Sequence, residues 1–275
     1  MHAAVIRAAM MRVMSPSPAA GLTPTGAAPP PARTTAYGSD PAQVYDVRLP
    51  TTTPSGTTVV IVHGGFWRQE YDRAHAAPQA QAFADAGHHV AVVEYRRTGM
   101  PGGGWPGTFT DVAAAIAAVR ADATLPGRCV LVGHSAGGHL VALAAGQPWA
   151  HGLAGVVSLA GCVDLALCGQ LGLGSGAVQA FLGGEPTGGA AGPFADADPA
   201  LHTPAVPLVL VHGDRDDTVP PVISQTYLEA MNGSRERHAE VALHGIPGAG
   251  HFALIDPQDE AFAVVLDIVS DLSRH

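Results

Sequence analysis

The sequence predicts an α/β protein with a mostly parallel central sheet, helices on both faces and a small lid insertion late in the chain. Three observations carry that prediction. Nearly uninterrupted apolar runs of strand length occur at 58–62, 89–95, 129–132, 156–159 and 208–211, the pattern of strands buried on both faces. Between them, 74–86, 109–121, 136–145 and 222–231 carry helical spacing supported by Ala and Leu, and crossovers of that length join parallel strands. Each apolar run also stops at a cluster of Gly, His or Asp, so the polar chemistry gathers where strands end.

The remaining elements follow in chain order. Residues 43–49 alternate and predict an edge strand, while 252–272 place Phe262, Val265, Ile268 and Leu272 on a helix face that packs on the sheet. After residue 159 the alternation lapses, and 162–204, rich in Gly, Ala and Leu with one helix at 175–182, reads as the lid insertion, a place for substrate contacts. Residues 15–33 turn to Pro, Ala, Thr and Gly, so 1–36 is expected to be a flexible N-terminal tail and 37–275 one domain. Arg7 and Arg12 interrupt the apolar stretch at the start, so no processed leader is expected.

Bulk composition narrows the function classes. With 275 residues and 47% apolar content the chain can bury one substantial core. Lys and Arg number 14 against 23 Asp and Glu, a formal charge of −9, so no basic stripe is available for nucleic acid. Cys129, Cys162 and Cys168 form neither an even disulfide framework nor a metal-type spacing, which fits a reducing, cytoplasmic setting. The richest apolar stretch, 140–167, is broken by Gln147, Pro148, His151 and Asp164, so no membrane span is expected. A small molecule is the expected partner, and composition leaves the oligomeric state open.

The densest signal is Gly133-His134-Ser135-Ala136-Gly137, a G-x-S-x-G directly behind an apolar strand and directly before a helix. Such a turn forces its serine into strained geometry, and glycines leave room where side chains would clash. Ser135 is thus a candidate nucleophile, with the Ala136 N–H at the start of the helix able to meet a developing oxyanion. Val211-His212-Gly213-Asp214-Arg215-Asp216-Asp217 ends another strand in an acidic turn, and Gly250-His251-Phe252 sets a histidine in a glycine-flanked loop before the last helix. Serine attack needs a neutral imidazole to take the proton and a carboxylate to fix its tautomer. His251 is the candidate base. Asp214, Asp216 and Asp217 all compete for the acid, and Asp164 reads as a cap or brace in the lid. His63-Gly64-Gly65-Phe66-Trp67 follows the first buried strand, where Gly65 and Phe66 can add oxyanion donors and His63 can hold the loop. Trp67 is a candidate substrate wall, with ordinary packing as the equal alternative. The spacing of His134 and His139 is i, i+5 and not i, i+4, so no metal site is assigned, and no cofactor is expected.

HGGFW, GHSAGGHL, HGDRDDTVP and GAGHF together resemble the α/β-hydrolase superfamily from about residue 37 onward, in the chain order Ser, Asp, His. The resemblance implies acyl transfer to water through an acyl-serine, and H-G-x-x-D-x-x-V-P selects Asp216 as the acid. The HGGxW form is similar to the branch holding kynurenine formamidases and small carboxylesterases, as are Glu94-Tyr95-Arg96-Arg97 and the glycine run before Trp105. It departs from the hormone-sensitive-lipase pattern, whose third glycine is replaced by Phe66. The expectation is hydrolysis of a small carboxylic ester, with an arylformamidase-type amide hydrolase as the alternative. A non-catalytic binding protein of the same fold, and a transferase that passes the acyl group to an alcohol, are the remaining alternatives.

Overall fold

The computed structural model describes residues 28–184, 193–236 and 238–274. Its strands are β1 (Arg33–Ala36), β2 (Val44–Arg48), β3 (Thr58–Val62), β4 (His89–Val93), β5 (Cys129–His134), β6 (Gly155–Leu159), β7 (Leu208–Gly213) and β8 (Val241–Ile246). They form one sheet in the order β1-β2-β4-β3-β5-β6-β7-β8. β1, β2 and β4 pair antiparallel, and every other neighbour is parallel. The helices are α1 (Ala77–Asp85), α2 (Gly107–Ala121), α3 (Ala136–Ala145), α4 (Leu165–Gln170), α5 (Leu173–Leu182), α6 (Pro193–Ala197), α7 (Val222–Gly233) and α8 (Glu260–Arg274).

Strand alternation sorts the core into two layers. Val59, Ile61, Val130, Val132 and Val157 face α1 and α8, where Phe83, Phe262, Val265 and Val269 meet them. Val60, Val62, Leu131, Val156 and Leu210 face the opposite way, against residues of α2, α3 and α7. Each fully buried large side chain in these layers contributes roughly 1.5–3 kcal/mol. All ten residues of α3 are buried, which explains a sequence of Ala, Gly, Leu and Val broken only by His139.

The chain leaves β3 for β4 on one side and then crosses back to β5 on the other. The carboxyl ends of β3 and β5 therefore lie side by side at a switch in strand order, a crevice that open α/β sheets offer to ligands. Their register pairs Val62 with Gly133, so the HGGFW turn and the GHSAG turn emerge next to each other.

Three expectations about the frame change. β2 is not an edge, because Arg33–Ala36, inside the segment expected as tail, pairs along its whole length. Arg33 anchors that strand through Asp122 and Thr124 on the far side of α2, at 2.7 and 2.6 Å. The rest of the expected tail up to residue 27 lies outside the described residues. β8, for which no expectation was formed, has half-buried or exposed residues throughout, and its backbone ladder to β7 defines it. The inserted stretch holds α4, α5 and α6, with 185–192 outside the described residues. In it Asp164 acts as expected, capping α4 through Leu167 N at 2.9 Å and bracing α7 through Thr226 at 2.8 Å.

Candidate active site

Ser135 stands between β5 and α3 with φ 55 and ψ −117, a conformation that costs a non-glycine residue about 1–3 kcal/mol. Its own backbone ties hold it there: Ser135 N–H donates to Leu159 O at 2.9 Å, and its carbonyl accepts from His139 N at 3.0 Å. The flanking glycines are sterically required. A Cβ on Gly133 would sit 2.2 Å from Gly137 O, and one on Gly137 would sit 2.0 Å from Val62 O.

Asp216 and His251, 35 residues apart, meet in a buried pair, with His251 Nδ1–H donating to Asp216 Oδ2 at 2.7 Å. The other carboxylate oxygen accepts the backbone N–H groups of Thr218 and Val219 at 2.9 and 2.8 Å. Burial by itself would raise this carboxyl, but the imidazoles of His251 and His212 beside it hold it well below the usual carboxylate range. His212 is fixed beside it, accepting from Ser224 Oγ at 2.7 Å and donating to Val219 O at 2.8 Å. The competing acids face elsewhere: Asp214 is exposed and accepts from Gly248 N, and exposed Asp217 accepts from the Thr218 hydroxyl. The structure thus brings Asp216, and neither neighbour, against His251.

His251 is held from its other side by His134, the residue before Ser135. His134 Nε2–H donates to the His251 carbonyl at 3.0 Å, and the two rings lie 4.5 Å apart. Ser135 and His251 line one cavity of about 560 Å³. No hydrogen bond joins the Ser135 hydroxyl to the His251 imidazole among the described residues, a contact of the kind that tightens when substrate binds.

The HGGFW turn closes against the elbow. A Cβ on Gly64 would lie 2.9 Å from His134 O and 3.1 Å from Ser135 Cβ, so only glycine permits this approach. Gly65, at φ 109, and Phe66, at φ 55, line the cavity. Among the described residues the Gly65, Phe66 and Ala136 N–H groups have no backbone acceptor outside the helices and strands. His63 is buried, donates to Gly64 O at 2.8 Å and stacks on Tyr95 at 4.4 Å. Burial and the nearby Arg97 guanidinium lower its pKa to about 3, while its other ring nitrogen lies 3.1 Å from Glu94 Oε1, so the side chain is tied on both sides and braces the turn.

Two expectations about the pocket are corrected. Trp67, a candidate substrate wall with ordinary packing as the equal alternative, takes the packing role: it is 1% exposed and stacks on Phe181 at 4.9 Å inside the core. Consecutive left-handed residues at 66 and 67 send the phenyl into the cavity and the indole away from it. The described part of the inserted segment contributes no cavity wall either; its Gly174 packs behind Phe66. The wall comes from the stretch after the turn, including Tyr71, Asp72, His75 and Pro78. No local signal marks His75, because 74–86 shows only helical spacing. It lies edge-on to His63 at 5.4 Å, and burial lowers its pKa to about 4.

The sequence profile of the BD-FAE family matches residues 45–231, more than half of the chain. The chain belongs to the BD-FAE family. The BD-FAE match spans β2 through most of α7 and includes Ser135 and Asp216; His251 lies beyond it and takes its place from the 2.7 Å contact alone. No curated protein matches the chain. Among solved structures it is similar to a truncated form of a carbohydrate esterase from gut microbiota, at 22% identity and TM-score 0.70 over 90% of this chain and all of that one. It is also similar to a thermophilic esterase of Thermogutta terrifontis with propionate bound, at 23% identity and TM-score 0.67 over 88% and 93% of the two chains. Esterase B from Lactobacillus rhamnosis aligns at 18% identity and TM-score 0.69 over 99% and 92%. At such identities the likeness establishes the fold: this BD-FAE chain has an α/β-hydrolase fold. No helix among its described residues is long and apolar enough to cross a membrane, and no cluster of three metal-ligating side chains occurs there.

Proposed function

We propose that this protein is a serine esterase that cleaves small carboxylic esters through an acyl-serine. The observation that carries this is the buried Asp216–His251 pair opening on a cavity where Ser135 is held in a strained turn. With Nδ1–H committed to Asp216, neutral His251 keeps Nε2 unprotonated and can take the Ser135 proton. The hydroxyl oxygen bonds to the ester carbonyl carbon, and the resulting oxyanion is met by the N–H groups of Gly65, Phe66 and Ala136. Collapse breaks the bond to the alcohol, which leaves with the proton from His251. Water then repeats the sequence on the acyl-serine, releasing the acid and restoring the serine.

A cavity of about 560 Å³ suits a small molecule, and Phe66, Ala74, Ala77, Pro78 and Phe252 give it an apolar lining for a short acyl or aryl group. The propionate recorded with the Thermogutta terrifontis neighbour supports short acyl chains. We place the hydrolase unit at 37–275, extended by the strand at Arg33–Ala36. The test is a series of p-nitrophenyl esters from acetate to octanoate, with N-formylkynurenine beside them, comparing the parent with Ser135→Ala. Short esters should turn over, and the variant should lose at least about a thousandfold in kcat/KM. Equal activity of the two proteins rejects the assignment. Faster turnover of N-formylkynurenine than of any ester would move the substrate to the formamide class that the HGGxW resemblance implies, and a parent inert to fluorophosphonate would leave only a binding role.

A further inference from the structure

His139 lies four residues after Ser135 on α3, is wholly buried, and is not part of the cavity lining. Its partners are specific. The Trp67 indole N–H donates to His139 Nδ1 at 3.2 Å, and His139 Nε2–H donates to the Ala197 carbonyl at 2.8 Å. An indole offers only a donor and a carbonyl only an acceptor, so these two contacts select one neutral tautomer. Phe181 completes the cluster, stacked on Trp67 and edge-on to His139 at 5.6 Å.

Trp67 is one of two consecutive left-handed, non-glycine residues in the turn that carries the Phe66 N–H. Strained backbone of this kind persists only where its surroundings over-determine it. The indole bond to His139 is such a constraint, and it reaches the helix whose first residue follows the nucleophile. A second tie, from Thr98 N to Trp67 O at 2.8 Å, holds the backbone side of the same residue.

We propose that His139 is a positioning residue for ester hydrolysis: by gripping the Trp67 indole it keeps the 65–67 turn, and with it the Phe66 N–H, in register with Ser135. Its second bond makes that register depend on the inserted segment, through Ala197. The inference rests on the esterase reading above. A merely packing histidine would affect folding and leave the chemistry of folded molecules untouched, whereas a positioning residue acts on kcat.

The experiment uses the full chain and compares His139→Leu, Trp67→Phe, the double variant and His139→Asn, with kcat and KM normalised to the folded fraction measured by circular dichroism. Displacing one oxyanion donor lowers kcat by about a hundredfold or more, so the two single variants should fall by roughly that factor with KM within about threefold of the parent. Because one bond joins the two side chains, the double variant should be no slower than the worse single variant. Asparagine presents one acceptor and one donor, and should recover most of the loss. Unchanged kcat in both single variants with only a lowered melting temperature would overturn the inference, as would losses that multiply in the double variant. A parent that hydrolyses no ester would instead bring down the esterase reading, visible before any variant is made.

Discussion

Replacing Asp216 by Asn tests the triad most sharply, because the structure dictates which way the amide must turn. Asp216 Oδ1 accepts two backbone N–H groups, from Thr218 at 2.9 Å and Val219 at 2.8 Å. The amide oxygen of Asn must occupy that position, since an NH2 there would face two donors and leave buried N–H groups unsatisfied at about 1–3 kcal/mol each. The NH2 is then aimed at His251 Nδ1, which sits 2.7 Å from the other oxygen. An N–H facing that nitrogen forces it to accept, so the imidazole proton moves to Nε2 and the ring can no longer take the serine proton. The wrong tautomer costs about 10⁴-fold in kcat where this triad has been altered in serine hydrolases, equivalent to about 5.5 kcal/mol of transition-state stabilisation. Hydrolysis of p-nitrophenyl acetate by Asp216→Asn should fall by that order, while Asp217→Asn, whose carboxylate is exposed, should stay within about twofold of the parent. The reasoning fails if Asp216→Asn keeps more than a tenth of the activity, or if the Asp217 variant is the slower of the two.

Further outcomes follow from packing and titration. Gly137→Ala would place a Cβ 2.0 Å from Val62 O and 2.5 Å from His63 O, both backbone atoms at the end of β3. It should cost more than about 3 kcal/mol in urea denaturation or prevent folding, whereas Gly233→Ala, with open space at the new Cβ, should change stability by less than about 1 kcal/mol. Burial lowers the His139 pKa to about 4, partly offset by its bond to Ala197 O. The unfolded chain, with a histidine pKa near 6.5, binds the proton first as pH falls, so stability is full above about 7 and declines between 6.5 and 4. From pH 7 to 5 this residue should account for about 2 kcal/mol of lost stability, a slope that His139→Asn removes; an identical pH dependence in the two proteins would refute it.

Much of the frame was legible because it is local. The runs at 58–62 and 89–93 are apolar on both faces, a pattern that only a covered sheet satisfies, and 136–145 matches α3 residue for residue. β1 and β8 were not legible, since edge strands are defined by backbone pairing across the sheet: β1 is three polar residues and an alanine, and the burial of β8 does not alternate. The glycine-rich turns could be read as sites because their spacing encodes backbone geometry, independent of what surrounds them.

By itself the sequence determined the fold class, the strand-end turns that carry chemistry, and the serine and histidine candidates, because apolar period and glycine placement act within a few residues. Tertiary structure decided which of three neighbouring aspartates meets His251, since that choice depends on burial and on an approach between turns 35 residues apart. It also decided that Phe66 and not Trp67 lines the cavity, that residues between Tyr71 and Pro78 and not the described inserted segment contribute to its wall, and that the Trp67 indole bonds to His139. Each of those depends on strand register and on the direction in which a left-handed backbone throws a side chain, quantities fixed only when distant segments pack together.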